Sequence, residues 1–384
     1  MRVFFSVGEP SGDVHGANLI RALRERDPNL DAVGFGGDRM AAAGCDLHFP
    51  LCNNAIMGLS RVLVALPHFL SLLSEADRYF RHHRPDAVVL IDYPGFNWWI
   101  ARRAKFHGIP VFYFVPPQIW GWMSWRVNKM RKFVDHVLCS LPFEKEWYRK
   151  HDVQAEYVGH PFFDECPRQR LDPEFMANER ATGQTLIGIL PGSRTMEVEN
   201  NLAYQLQAAE RIHREHPETR FLIASYKESQ RIMADKMLKK HPALPARTFV
   251  GRTPEIIELS KACISVSGSV SLELLYRAKP TAIVYYLGPI MSGIVRSLVS
   301  VNAITLVNLL AEKMLYPEFA GSQIDPNAIA NAVLHWLNDE AAYQSLCSEL
   351  LALRDRVGAP GACDRAADRI VEAVARRSRR RLAA

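Results

Sequence analysis

Twice in this chain a short apolar run breaks on a glycine-containing turn and resumes as a helix-like segment, and this repeat restricts the fold more than any other feature. The first instance is Val3–Val7, then Gly8-Glu9-Pro10-Ser11-Gly12-Asp13, then Ala17–Leu23. The second is Thr185–Leu190, then Pro191-Gly192-Ser193-Arg194, then the amphipathic stretch Val198–His213. Strand, turn and helix leading to another strand make a βαβ unit, whose strands run parallel and whose turns at the strands' carboxyl ends meet ligands. At 384 residues the chain exceeds what one hydrophobic core usually serves. The expected fold is therefore α/β, with two doubly wound Rossmann-like domains, 1–165 and 166–345, facing each other across a cleft. A C-terminal helix and basic tail, 346–384, follow. The Pro-, Asp- and Arg-rich stretch 161–185 reads as the linker.

Charge and cysteine usage narrow the setting. Residues 352–384 hold nine Arg against four acids, a net of +5 out of +6, which leaves +1 for the rest and argues against nucleic acid. The seven cysteines form no C-x-x-C pair, as expected for reduced cytosolic thiols and not for a metal site. No signal-peptide pattern and no apolar run of ~20 residues is present, so the expected location is the cytoplasm or the cytoplasmic face of a membrane. No G-x-G-x-x-G follows the first strand and no Gly-Lys-Ser/Thr follows the second, which argues against NAD and Walker-type ATP binding. No residue set calls for a metal or a cofactor.

In the first half, Leu59, Val62, Leu63, Leu66, Phe69, Leu70 and Leu73 recur at helical spacing, interrupted by Pro67. This predicts a kinked helix or two short ones. Val64 and Leu72 widen its apolar surface, enough to hold acyl chains or rest on a membrane. The run Asp86–Asp92 is a buried strand ending in an acid, and the turn behind it carries Asn97. Beyond the strand Pro110–Val115, Trp120 and the following Trp122, Arg126, Lys129, Arg131 and Lys132 suit a phosphorylated ligand.

In the second half, Gly192-Ser193-Arg194 enters a helix and presents free N–H groups to a phosphate, with Arg194 as a charged partner. Ser267-Gly268-Ser269 repeats the device after the strand Ala262–Val266, and Glu273 follows, suited to a sugar diol. Asn308 ends a loop as a further ligand contact. Residues 326–375 read as helical, and Arg376, Arg377, Arg379, Arg380 and Arg381 as a solvated tail.

Taken together these motifs resemble the lipid-A-disaccharide synthase family, inverting glycosyltransferases of the two-Rossmann-domain, GT-B type. The matching pieces are Gly8-Glu9-x-Ser11-Gly12-Asp13, Ala55-x-Met57-Gly58, Ile91-Asp92-x-Pro94-x-Phe96-Asn97 and Trp120-x-Trp122-x-x-x-Arg126. They continue with Leu141-Pro142-Phe143-Glu144, Gly159-His160-Pro161, Leu190–Arg194 with Glu197-Val198-Glu199, Ser267–Glu273 and Asn308–Ala311, in family order from residue 8 to about 318.

The resemblance implies transfer of a 2,3-diacylglucosamine unit from its UDP derivative to the 6-hydroxyl of 2,3-diacylglucosamine 1-phosphate. It implies Asp92 as the base, with Glu9 and Asp13 as rivals and Ser11 beside them. Gly192, Ser193, Arg194, Ser267, Gly268, Ser269, Glu273 and Asn308 are then the UDP side, and Asn97, Trp120 and Arg126 the acceptor side. The helix carrying Leu59, Val62, Leu63, Leu66, Phe69 and Leu70 receives acyl chains and touches the inner membrane. A homodimer with exchanged C-terminal segments is one arrangement it allows.

Departures from the family pattern are Pro10, Arg61 for the usual Glu, Gly95 for a frequent acid, and Pro116-Pro117-Gln118 for Ser-Pro-Ser. All bear on the acceptor. A UDP-sugar transferase acting on another lipid-linked acceptor, a UDP-sugar epimerase and a non-catalytic UDP-sugar binder are the alternatives.

Overall fold

A computed structural model describes residues 1–54, 59–289, 292–293 and 303–382, with side chains described except at 53–65 and 380–382. Ala55, Met57 and Gly58 fall outside these residues, as do the side chains of Leu59, Arg61, Val62, Leu63 and Val64. The chain forms two compact units, Met1–Glu165 with Ala359–Ala384, and Cys166–Gly358. The segment expected to run as one piece from 346 to 384 thus divides. The helix Glu340–Val357 belongs to the second unit and the helix Ala362–Leu382 to the first. That last helix continues through Arg376, Arg377 and Arg379, which the sequence suggested as a tail.

The first unit holds β1 (Arg2–Val7), β2 (Asp31–Phe35), β3 (Asp46–Phe49), β4 (Ala87–Ile91), β5 (Val111–Phe114), β6 (His136–Cys139) and β7 (Ala155–Tyr157). They form one parallel sheet in the order β3-β2-β1-β4-β5-β6-β7. Alternation along β1 explains how both faces are filled. Phe4 points to the face covered by the helices Leu59–His83 and Pro94–Phe106, where it meets Phe35, Phe80 and Leu90. Val3, Phe5 and Val7 point to the face covered by the helices Pro10–Arg26 and Ala362–Leu382, where they meet Leu19, Leu23 and Ile370.

The helix Leu59–His83 runs unbroken through Pro67. Its apolar positions divide in use. Leu72, Leu73, Ala76 and Phe80 are core, whereas Leu66 and Leu70 are 48% and 58% exposed.

The second unit holds β8 (Thr185–Leu190), β9 (Thr219–Ser225), β10 (Ala246–Val250), β11 (Ala262–Ser265), β12 (Thr281–Tyr286) and β13 (Glu318–Gly321), parallel in the order β10-β9-β8-β11-β12-β13. Ile187 and Ile189 on β8 pack against Leu202 and Leu206 of the helix Thr195–Glu215 and Val333 of the helix Pro326–Asn338. In both sheets the first strand lies between strands whose connections leave in opposite directions, so a crevice opens at the carboxyl ends of β1 and β4, and again at those of β8 and β11.

Candidate functional site

In the first unit the helix after β1 already begins at Pro10, with Glu9 as its N-cap residue. The expected turn Gly8–Asp13 is therefore two residues long, because proline's fixed φ suits the first helical position. Ser11 and Asp13 sit in the helix's opening turn. Asp13 is buried, and its carboxylate accepts the backbone N–H groups of Gly37, Arg39 and Met40, each at 3.0 Å. It holds the start of the helix Asp38–Ala42 against the first helix.

The turn after β4 is conformationally costly. Asp92 and Tyr93 both adopt left-handed backbone, φ 44° and 47°, a conformation that disfavours non-glycine residues by ~1–2 kcal/mol each. Two side chains hold it there. The Asn97 amide donates to the Asp92 carbonyl at 2.7 Å, as does the Tyr113 hydroxyl at 2.7 Å. The same amide donates to the Ser6 and Ile91 carbonyls, and the Ser6 hydroxyl donates to its oxygen at 2.6 Å. Asn97 is fully buried. This corrects its expected place as an acceptor contact: it pins the ends of β1 and β4 so that the Asp92 side chain leaves the sheet at a fixed point. Asp92, Tyr93, Glu9 and Ser11 are half-buried around that point. Burial and then the charge of Glu9 push the Tyr93 phenol up to about 12, so it stays protonated.

Trp120 also turns inward. It is buried, its indole N–H donates to Glu144 at 2.9 Å, and its ring meets Phe143 edge-on. Its expected stacking on a ligand is corrected accordingly, and in this loop it is Trp125, on the other side of a short turn, that is exposed. Glu144 is fully buried and also accepts the N–H groups of Ser140 and Leu141 at 3.0 and 2.9 Å. Burial pushes its carboxyl up to about 7. The loop between is pressed down by Pro116, Pro117 and Ile119, leaving Gln118 exposed. Arg126 is half-buried, and its charge acts on the Tyr113 hydroxyl, on the Asp92 side of the sheet.

In the second unit Ser193 and Arg194 are exposed at the carboxyl end of β8. Arg194 is the N-cap residue of the helix Thr195–Glu215. Glu197 accepts its backbone N–H at 3.1 Å and its guanidinium at 3.0 Å. Gly192, at φ 119°, could carry no side chain, since a Cβ would lie 2.4 Å from the Glu197 carboxylate. The fully buried Gln230 donates to the Ser193 carbonyl at 2.7 Å and fixes the turn from beneath.

At the end of neighbouring β11, Ser267 donates to the Ile304 carbonyl at 2.8 Å, Gly268 is exposed and Ser269 half-buried. Glu273 is buried with Arg277 Nε 3.7 Å from its carboxylate. Asn308 is another correction. It is buried, donates to the Tyr316 carbonyl and the Glu318 carboxylate at 2.7 Å each, and accepts the N–H groups of Leu315 and Tyr316 at 2.9 Å. Its amide closes the loop after its own helix and has no capacity left for a ligand.

Sequence reasoning passed over Gln230 and Glu318, whose partners lie far along the chain. Among the described residues no group of His, Cys, Asp and Glu side chains is arranged to hold a metal ion.

Two turns at the crevice of each parallel sheet, one presenting acids and the other serines and an arginine at helix starts, suit a sugar-nucleotide enzyme. Solved structures share this fold. The S. aureus MnaA–UDP structure superposes with a TM-score of 0.70 at 12% identity, covering 95% of this chain and 94% of that one. The calicheamicin glycosyltransferase CalG4 superposes with a TM-score of 0.60 at 14% identity, covering 98% of both chains. At such identities the likeness speaks for the fold, which is of the GT-B type. Sequence comparison speaks for more. A lipid-A-disaccharide synthase of Anaeromyxobacter sp. (strain K) is 35% identical over 370 residues, 96% of this chain and 97% of that protein. The sequence pattern of the lipid-A-disaccharide synthetases matches residues 3–358, and the chain belongs to that family.

Proposed function

We propose that the two units divide the family's reaction between them, the first serving the acceptor and the second the UDP-sugar donor. Membership makes the chain a glycosyltransferase of lipid A disaccharide synthesis, acting on a UDP-sugar and a lipid-linked sugar. The donor is UDP-2,3-diacylglucosamine and the acceptor 2,3-diacylglucosamine 1-phosphate. Asp92 takes the proton from the acceptor's 6-hydroxyl, whose oxygen bonds to the donor's anomeric carbon as the bond to UDP breaks. The product is an inverted, β-1,6 linkage. The charge that develops on UDP is met by the Arg194 guanidinium, the hydroxyls and N–H groups of Ser193 and Ser267–Ser269, and the start of the helix Thr195–Glu215. Glu9 and Ser11 orient the acceptor sugar and Arg126 its phosphate, while Glu273 receives hydroxyls of the donor.

The observation that supports this most is the pinned Asp92 turn. A strained backbone held by Asn97 and Tyr113 fixes one carboxylate at the mouth of the crevice, whereas Asp13 is engaged by three backbone donors. Incubation with the two substrates, with UDP and disaccharide measured, tests the reading: Asp92→Asn lowers kcat by roughly 10²–10⁴ and leaves UDP affinity intact. No disaccharide from the unaltered protein overturns the substrate assignment, and full activity of Asp92→Asn overturns the base.

A membrane surface is the site of action in this reading. Among the described residues no helix is long and apolar enough to cross a bilayer. Leu66, Leu70, Trp99, Phe106 and Trp125 are all exposed, and all belong to the first unit. Residues 93–134 contain seven Lys and Arg and no acid. Apolar and aromatic side chains with unopposed cations suit the headgroup region of an anionic leaflet, so the protein binds the inner membrane peripherally.

A further inference from the structure

Glu318, the first residue of β13, lies level with Ser265 of β11 across β12, since Ser265 pairs with Ile283 and Ile283 with Glu318. It is thus level with the end of the strand that leads into the Ser267–Ser269 turn, although separated from that turn by β12 and by some fifty residues of chain. Its carboxylate accepts from four donors: the Ile304 N–H at 2.8 Å, the Thr305 N–H at 2.9 Å, the Thr305 hydroxyl at 2.7 Å and the Asn308 amide at 2.7 Å. On the opposite side of the same peptide unit the Ile304 carbonyl accepts the Ser267 hydroxyl at 2.8 Å. Three of the four donors converge on Oε1 and one meets Oε2, and each bond carries charge assistance.

We propose that Glu318 is a positioning residue of the donor site, holding the Ile304–Thr305 peptide so that its carbonyl fixes the Ser267 hydroxyl and with it the Ser267–Ser269 turn. This rests on the assignment of that turn to UDP. Glu318 does not touch the ligand. It removes the freedom of the segment that the turn leans on, and the entropy of ordering that segment is then not charged to binding. Asn308 belongs to the same device, as one of the four donors.

The consequence is specific to one substrate. Replacing the carboxylate with an amide puts an NH2 group against N–H donors, so at least one side of the cage opens. Glu318→Gln should weaken UDP about tenfold, read by calorimetry, and raise the donor KM by the same factor while the acceptor KM stays within twofold. A merely structural role would lower the melting temperature without separating the two KM values. In a double-mutant cycle, Glu318→Gln with Ser267→Ala should weaken UDP less than the two single effects multiplied, because both act on one peptide.

Thr305→Val, which deletes one donor and keeps the shape, serves if Glu318→Gln fails to fold and should weaken UDP in the same direction. UDP affinity within twofold of the unaltered protein in a folded Glu318→Gln, or Thr305→Val in its place, overturns the proposal, as does equal damage to both KM values. Arg194→Ala tests the underlying assignment separately: undiminished UDP affinity there means the donor site itself is misplaced, whatever Glu318 does.

Discussion

The ring of Tyr93 lies against the α-carbon of Gly8, so close that a Cβ on residue 8 would stand 2.3 Å from Tyr93 Cδ1. The turn after β1 and the turn after β4 fit together only because residue 8 has no side chain. Gly8→Ala should therefore push Tyr93, and with it Asp92, out of place. An ångström-scale displacement of a reacting group lowers turnover by roughly 10². The expected result is that loss in kcat with UDP affinity unchanged. Wild-type turnover in Gly8→Ala would show that the Asp92 turn tolerates movement.

Asp13→Asn separates a structural acid from a catalytic one. An Asn in that place offers one acceptor and one donor to three N–H groups, so denaturant unfolding should report a loss of about 2 kcal/mol. A variant of undiminished stability whose turnover has collapsed would instead mark Asp13 as the proton acceptor.

Three buried groups give the first unit opposed responses to pH. Burial lowers the His15 imidazole to about 4, and burial together with the neighbouring His15 charge holds His160 well below its usual range. The unfolded chain binds protons that these residues refuse, so their contribution is complete above about pH 6.5 and disappears as pH falls towards 4, by about 3 kcal/mol for His15. The Asp164 carboxylate, whose charge acts on His15, moderates the effect. Glu144 has the other sign. Its value in the fold, about 7, lies above the ordinary 4.5, so its contribution is present below about pH 4.5 and lost as pH rises to 7. Unfolding measured from pH 4 to 8 should have a shallower acid limb in His15→Gln, His160 retaining the rest. In Glu144→Gln the opposing slope should vanish, while the Trp120 loop loosens and the acceptor KM rises.

Sedimentation with phospholipid vesicles checks the membrane reading. The protein should partition onto vesicles containing phosphatidylglycerol more strongly than onto pure phosphatidylcholine, and added salt should weaken it. Leu66→Ser with Leu70→Ser should reduce partitioning on the order of tenfold or more. Binding that ignores both changes would direct attention away from these two leucines.

Strands buried on both sides, such as β1, β4, β8 and β12, were plain in the sequence as unbroken apolar runs ending in glycine, proline or an acid. β3, β7 and β13 lie at sheet edges, are three or four residues long and carry polar side chains, so they show no run to detect. Within the site, motif position told which turn a residue occupies but not which way it faces. Asn97, Trp120 and Asn308 sit in the right loops and point inward, since a turn at a crevice needs buried polar groups to hold its backbone as much as exposed ones to meet a ligand. Glu318 was invisible for a related reason. Its partners precede it by 10 to 14 residues, and only strand register reveals that they converge near Ser267.

The division of the chain has a consequence for biosynthesis. Cys363, Ala366, Ala367 and Ile370 complete the core in which Val3, Phe5 and Leu19 are buried, and Asp164 accepts the N–H groups that start their helix. The first unit to leave the ribosome is therefore the last to be finished. The second unit has its whole sequence available earlier, while the sheet made first waits with one face only partly covered, by the helix Pro10–Arg26, for the helix Ala362–Leu382. Early chain termination near residue 358 would leave a completed second unit attached to a first unit with an open core, a species prone to capture by chaperones and to aggregation.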